Sequence, residues 1–273
     1  MEVNIKSILV PFDSSGSSTV ALGAAIAMAD VFNAKVTLLF VQDVNLKVQH
    51  VNSTSLSDFV AKLKEDQKAD IDFIIRDGKV YKEIVKAATE IDTDIIIMGT
   101  HSVMGFQEYW VGSNAYKVAT TAPCPVITMQ EHIKHKTFEK IVLPIDTSRD
   151  TRQKVPMAIA LAKVTGSEIH VLAVSSDKEG DDVITAKNYA HQVHGIIKDA
   201  GVNVVMETST GRNIATLTID YAQKINADLI MIMTDQESGS VFMGPFAQQL
   251  INHSPYPVMS IKPKEVYISY ATI

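Results

Sequence analysis

The chain repeats itself, and the repeat restricts the possible folds more than any other feature. Lys6-Ser7-Ile8-Leu9-Val10-Pro11-Phe12-Asp13-Ser14-Ser15 returns as Lys140-Ile141-Val142-Leu143-Pro144-Ile145-Asp146-Thr147-Ser148, with Asp13 and Asp146 133 positions apart. Ala158 to Ala162 answers an Ala-rich helix before Asn33, and Glu168 to Val174 answers Val36 to Val41. Asp94-Ile95-Ile96-Ile97-Met98 recurs as Asp228-Leu229-Ile230-Met231-Ile232, and Ala122-Pro123-Cys124-Pro125-Val126 as Ser254-Pro255-Tyr256-Pro257-Val258. A near-constant offset over five elements means two joined copies of one unit. The short polar segment from Gln130 to Phe138 divides them, giving units at residues 1–132 and 138–273.

Within each copy, apolar runs of strand length alternate with helical patterns. Ile8 to Asp13 reads as a strand stopped by a polar turn, with Ser14, Ser15 and Ser17 offered as helix caps and Asn33 as the helix end. Asp43 to Ser57 reads as an irregular loop, with Ser55 or Ser57 opening a helix through Leu63. Ile71 to Arg76 is a third strand, ended by Asp77-Gly78. Tyr81 to Ile91 is helical, with Ile84, Val85, Ala87 and Ala88 facing inward, and Pro125 to Met129 is a fifth strand. Strands apolar on both faces and alternating with helices call for a parallel sheet with right-handed crossovers. In such sheets ligands lie beyond the strand C-terminal ends, at a topological switch point. Asp13, Val41 and Gly99 all fall at such ends.

The stretch Ile95 to Val126 runs from a buried strand through Gly99, Gly105 and Gly112-Ser113 into a helix. Turned backbone N–H groups and a helix N-terminus favour an anion, and glycines let a phosphate approach the main chain. A glycine-marked connection in a parallel sheet is the other reading of this stretch. The second copy keeps the strands and proline boundary without these glycines, which points Gly99, Gly105 and Gly112 toward a ligand. Asp13 likewise has two readings, as a ligand carboxylate or as the N-cap of the following helix.

These residues resemble the universal stress protein family in its tandem form, over nearly the whole chain up to Lys264. The family's nucleotide-binding members carry a glycine, two residues, a second glycine, nine residues and then Gly-Ser or Gly-Thr. Gly99, Thr100, His101, Ser102, nine residues and Gly112-Ser113 keep that spacing. Gly105 matches a glycine frequent inside the loop, and Pro11-Phe12-Asp13 matches the family's Pro-x-Asp. The resemblance implies two doubly wound, Rossmann-like α/β domains of the adenine nucleotide alpha-hydrolase-like class. They would form a pseudo-dimer through the fifth strands, Val126 to Met129 and Val258 to Ile261. It implies ATP, ADP or AMP, with or without Mg, in the first domain. The site residues would be Pro11, Asp13, Val41, Met98, Gly99, His101, Ser102, Gly105, Gly112 and Ser113. Asp13 would accept from the adenosine and the Val41 backbone would read the adenine edge. Backbone groups of Gly99, His101, Ser102, Gly112 and Ser113 would hold the phosphates. Ser102 departs from the family glycine; a left-handed conformation there costs about 1–2 kcal/mol. The second copy has Met233 for Gly99 and Gly244-Pro245 for Gly112-Ser113, with a loop two residues shorter. Proline removes an N–H at the helix start, so no nucleotide is expected in the second domain.

Other signals carry less. His132 and His135 beside Glu131 read as a solvated linker, and His191 and His194 as residues of one helix. Cys124 reads as a small buried residue, while Trp110 and Tyr109 read as packing or interface residues. Met98, Met231 and Met233 read as core strand positions. The P-loop Gly-Lys-Ser/Thr is absent, so a binding module is expected, with weak ATPase activity at most. A net charge of −6 excludes a general nucleic-acid binder. No apolar run has the length of a membrane span, and the N-terminus lacks a signal-peptide pattern; a cytoplasmic protein is expected. The expected assembly is the intramolecular pseudo-dimer or a homodimer. The alternating tail Val266 to Tyr270 could add an edge strand or swap onto another chain. A ligand-free interaction protein is the rival reading of the whole.

Overall fold

The computed structural model describes residues 4–42, 53–67, 70–100, 113–133, 138–234 and 244–263. The first half runs β1 (Ser7–Pro11), α1 (Gly16–Phe32), β2 (Lys35–Gln42), α2 (Ser53–Gln67), β3 (Ile71–Asp77), α3 (Val80–Glu90), β4 (Ile95–Gly99), α4 (Ser113–Thr121) and β5 (Val126–Met129). The second repeats it as β6 (Lys140–Ile145), α5 (Val155–Thr165), β7 (Glu168–Ser175), α6 (Asp181–Asp199), β8 (Val204–Thr210), α7 (Ile214–Ile225), β9 (Leu229–Met233), α8 (Pro245–His253) and β10 (Val258–Ile261). A 3-10 turn, Arg149–Arg152, stands before α5 and has no counterpart before α1.

All these strands form one sheet in the order β3-β2-β1-β4-β5-β10-β9-β6-β7-β8. Each half is parallel, and the order of one half mirrors that of the other. The halves join antiparallel through β5 and β10, with Val258 opposite Thr128, Met259 opposite Ile127 and Ser260 opposite Val126. The expected contact between fifth strands is therefore present. Two side-chain bonds repeat across the junction: Thr128 Oγ1 donates to Val258 O (3.3 Å) and Ser260 Oγ to Val126 O (3.1 Å). Thr128 and Ser260 are repeat equivalents, as are Val126 and Val258, so a local pseudo-twofold runs through the Ile127–Met259 pair. Pairing the two strands covers edges that would otherwise be free to recruit other chains.

Helices cover both faces. Ile8 and Val10 of β1 join a core that α1, α2, α5 and α6 cover continuously across the two halves. Leu9, between them, points to the opposite layer under α3 and α4, and Val142 and Ile230 lie under α7 and α8. Strand alternation produces this division, and burial on both faces explains the near-continuous apolar strand sequences. Met98, Met231 and Met233 are buried, as expected. Ile84, Ala87 and Ala88 face inward, whereas Val85 is half-buried.

Two local expectations are corrected. The helix expected to open at Ser55 or Ser57 and run through Leu63 opens at Ser53 and reaches Gln67. Leu56, Phe59, Val60 and Leu63 recur at helical spacing and pack on the core, which holds even the early turns in place. The N-cap of α1 is Ser15, whose side chain accepts from Ser18 N. Asp13 is not the cap; its Oδ1 accepts from Ser15 N at 3.0 Å and closes the turn before it. Asn33 ends α1 in the left-handed conformation, as expected.

The repeat extends to polar details. Asp94 Oδ2 accepts from Lys6 N (2.7 Å) and Ser7 N (2.9 Å), and Asp228 Oδ2 accepts from Glu139 N (3.1 Å) and Lys140 N (2.9 Å). Thr100 N donates to Met129 O and Thr234 N to Ile261 O. A carboxylate thus pins the first strand of each half, and a threonine fixes the chain leaving the fourth.

Candidate functional site

Register brings the expected residues to one edge of the sheet. Pro11 pairs with Leu39, so extending the ladder by two residues sets Asp13 opposite Val41. Ile8 pairs with Ile95, which sets Gly99 beside Phe12 on the other flank. Strand β1 lies between β2 and β4, where the strand order reverses, so this edge is the switch point of the first half. Met98 is buried one residue before the strand end. Ser113 begins α4. His101, Ser102, Gly105 and Gly112 lie outside the described residues.

The Val41 backbone is open on the side that matters. Phe12 N donates to Leu39 O, so alternate residues 37, 39 and 41 turn their backbone groups toward β1. Val36 N bonds to Asp70 O and Gly78 N to Gln42 O, so the even residues serve β3. Because β1 ends at Pro11, the N–H and C=O of Val41 extend past it without a hydrogen-bond partner among the described residues. Asp13 is exposed, and with Oδ1 engaged by Ser15 N its Oδ2 has no partner among the described residues. Beneath them Phe12 packs edge-on against Phe40, with ring centroids 5.5 Å apart, and stacks on Phe59, also at 5.5 Å. The cluster ties β1, β2 and α2 together under the strand ends.

Gly99 has a packing reason for lacking a side chain. A Cβ there would stand 2.4 Å from Ser17 Oγ and 2.7 Å from the Ser17 carbonyl carbon. The glycine lets the first turn of α1 press against the end of β4. This corrects the inference that the fold does not need this glycine. In the second half Met233 occupies the position, and the chain answers by delaying its helix. Strand β1 ends at Pro11 and α1 begins at Gly16, whereas β6 ends at Ile145 and α5 begins only at Val155, after the 3-10 turn. Thr151 of that turn accepts from Asp146 N and from the ammonium of Lys154, which is only 1% exposed.

The second half still has a cleft at the equivalent edge, about 170 Å³ in volume. Asp146, Thr147, Val174, Ser175, Ser176, Asp182, Arg212 and Ile214 line it. Asp146 and Val174 repeat Asp13 and Val41, and Asp146 Oδ1 accepts from Ser148 N as Asp13 does from Ser15 N. Gly244 and Pro245 stand at the start of α8, so its first residue has no N–H to offer. Sequence reasoning missed Asp182 and Arg212, because single charges beside turns are usually solvated; their meeting depends on two crossovers.

Cys124 is half-buried, and its thiol is pushed up to about 12 by burial, reinforced by the charge of Asp94. Such a thiol is inert near neutral pH. His191 and His194 lie on α6, as expected. Among the described residues no cluster of three or more His, Cys, Asp or Glu could hold a metal, and no helix is long and apolar enough to cross a membrane.

With this geometry in view, likeness to known proteins is informative. A model of the Universal stress protein family matches twice, over residues 4–129 and 137–262. A universal stress protein of Methanocaldococcus jannaschii is 30% identical over 140 residues, covering 46% of this chain and 82% of that relative. One from Synechocystis is 28% identical over 147 residues, covering 45% of this chain and 85% of the relative. A crystal structure of a universal stress protein from Archaeoglobus fulgidus shares the fold along nearly its full length. It covers 96% of this chain and 99% of that one, at 21% identity and a TM-score of 0.78. The chain belongs to the universal stress protein family, as a tandem of two α/β domains joined through their fifth strands.

Proposed function

We propose that the domain over residues 1–132 binds an adenine nucleotide, ATP before ADP or AMP, as a stress-response or signalling module with little or no hydrolysis. The observation that carries the reading is the Val41 backbone opposite Asp13 Oδ2, neither having a hydrogen-bond partner among the described residues. A donor and an acceptor side by side complement the amino-pyrimidine edge of adenine, and a carboxylate oxygen accepts from ribose hydroxyls. The phosphates then extend toward Gly99 and the start of α4, where a helix N-terminus favours negative charge. Pro11 and Met98 end and support the flanking strands, while His101, Ser102, Gly105 and Gly112, with Ser113 at the start of α4, would receive the phosphates. Mg would accompany a triphosphate through its phosphate oxygens. The domain over residues 138–273 takes no nucleotide in this pose, because a Met233 side chain stands where Gly99 lets a phosphate approach, α5 begins late, and Pro245 has no N–H to offer at the start of α8.

The packing role of Gly99 gives a specific reason to weigh a ligand-free interaction protein beside this reading, since that glycine is explained without a ligand. Calorimetry with ATP, ADP and AMP on the wild type and on Gly112→Pro separates the two. Saturable heat from ATP that Gly112→Pro weakens supports the nucleotide site. No heat from any of the three refutes it in favour of the interaction protein.

A further inference from the structure

We propose that the cleft of the second domain is a binding site of its own, for a small uncharged polyol of about pentose size. Its volume of about 170 Å³ is below the roughly 300–1,000 Å³ of pockets that hold drug-sized ligands, a size that suits a molecule smaller than a nucleotide. Six of its eight lining residues carry hydrogen-bonding side chains. Asp146 Oδ1 is engaged by Ser148 N, and its Oδ2 has no partner among the described residues. Asp182, in the first turn of α6, is exposed. Arg212 lies just before α7 and forms no ion pair with either carboxylate, although all three line one cleft.

The backbone adds an acceptor. Glu168 N bonds to Glu139 O, so the even residues of β7 turn toward β6. The last ladder pair, Ile145 with Ala173, leaves the Val174 carbonyl directed past the end of β6. Val174 is 1% exposed, so this carbonyl is poorly placed for bulk water. Two carboxylates and a carbonyl accept from hydroxyls, a guanidinium donates to hydroxyl oxygens, and Thr147 and Ser176 do either. Ile214, half-buried at the cleft, offers C–H surface to a ring.

Charge selects against phosphates. The lining carries two acidic groups and one basic group. The neighbouring cation, Lys154, is held by Thr151 O and Oγ1 and does not line the cleft. Among the described residues, the N-terminus of α5 stands behind the 3-10 turn, α8 opens with a proline that has no N–H, Asn213 Oδ1 engages the N–H groups of Ala215 and Thr216 at the start of α7, and Asp181 and Asp182 occupy the first turn of α6. What suits the cleft is therefore a neutral molecule with adjacent hydroxyls. This reading is independent of nucleotide binding in the first domain.

Methyl NMR on the full chain tests it, with Ile214 and Val174 reporting the second cleft and Val41 the first. Titration with D-ribose should shift Ile214 and Val174 saturably and leave Val41 unmoved. Asp182→Asn and Arg212→Ala are surface changes that should leave the rest of the spectrum intact. Each should weaken ribose by about tenfold, the usual consequence of losing a hydrogen bond to a charged group. Ribose 5-phosphate should bind the same methyls at least about tenfold more weakly. The proposal is overturned if ribose gives no saturable shift at Ile214 and Val174, if both variants bind as the wild type does, or if the phosphate binds more tightly than the free sugar. ATP shifts at Val41, present or absent, report only on the first domain.

Discussion

Replacing Gly99 by alanine should destabilise the first domain even with no ligand present. The new methyl would lie 2.4 Å from Ser17 Oγ and 2.7 Å from the Ser17 carbonyl carbon, where ordinary contact begins at 3.4 Å. The hydroxyl can rotate away, but the carbonyl carbon is backbone. Relief requires the first turn of α1 to retreat by about 0.7 Å from β4. Ala21, Ala24 and Ala25 of the same helix are buried at 0–2%, so the helix cannot move without opening the core beneath it. Overpacking of this kind costs about 1–3 kcal/mol. Urea denaturation of the nucleotide-free protein reads the cost directly. Adding Ser17→Ala should recover only a minor part, because the contact with the backbone carbon survives loss of the hydroxyl. A Gly99→Ala protein within about 0.5 kcal/mol of the wild type would refute the packing account. Full recovery by Ser17→Ala would refute the claim that the backbone is the obstacle.

Two further predictions follow from the site and the junction. The Cys124 thiol is pushed up to about 12 from 9.0, so the fold favours its protonated form. The resulting stability is complete below pH 9 and is lost as pH rises from 9 toward 12, by about 1.4 kcal/mol per pH unit. Stability curves from pH 8 to 11 should therefore fall less steeply for Cys124→Ala than for the wild type; parallel curves would contradict this. At the junction, Thr128→Ala and Ser260→Ala each remove one buried hydroxyl bond of an equivalent pair. Each should cost about 0.5–1.5 kcal/mol, and clearly unequal losses in thermal or urea unfolding would argue against the local twofold.

The site was legible in the sequence to unequal depths. Asp13, Val41 and Gly99 could be placed at one edge because each follows an apolar run, and strand alternation fixes which end of a parallel sheet they occupy. That the Val41 backbone would be open could not be read there. It depends on β1 stopping at Pro11 while β2 continues to Gln42. The helix expected from Ser55 or Ser57 begins earlier because packing of Leu56 and Phe59 holds turns that local polarity disfavours.

By itself the sequence determined that two copies of one α/β unit are joined, that their strands are buried on both faces, and that the second copy has lost the glycine loop. Those properties follow from local periodicity and internal comparison, which need no knowledge of what lies across the sheet. Only the tertiary structure decided why Gly99 is a glycine, why α5 starts late, and that Asp182 and Arg212 share a cleft with Asp146. Each depends on groups distant in sequence brought within a few ångströms by crossovers, where close packing leaves no room for an added side chain.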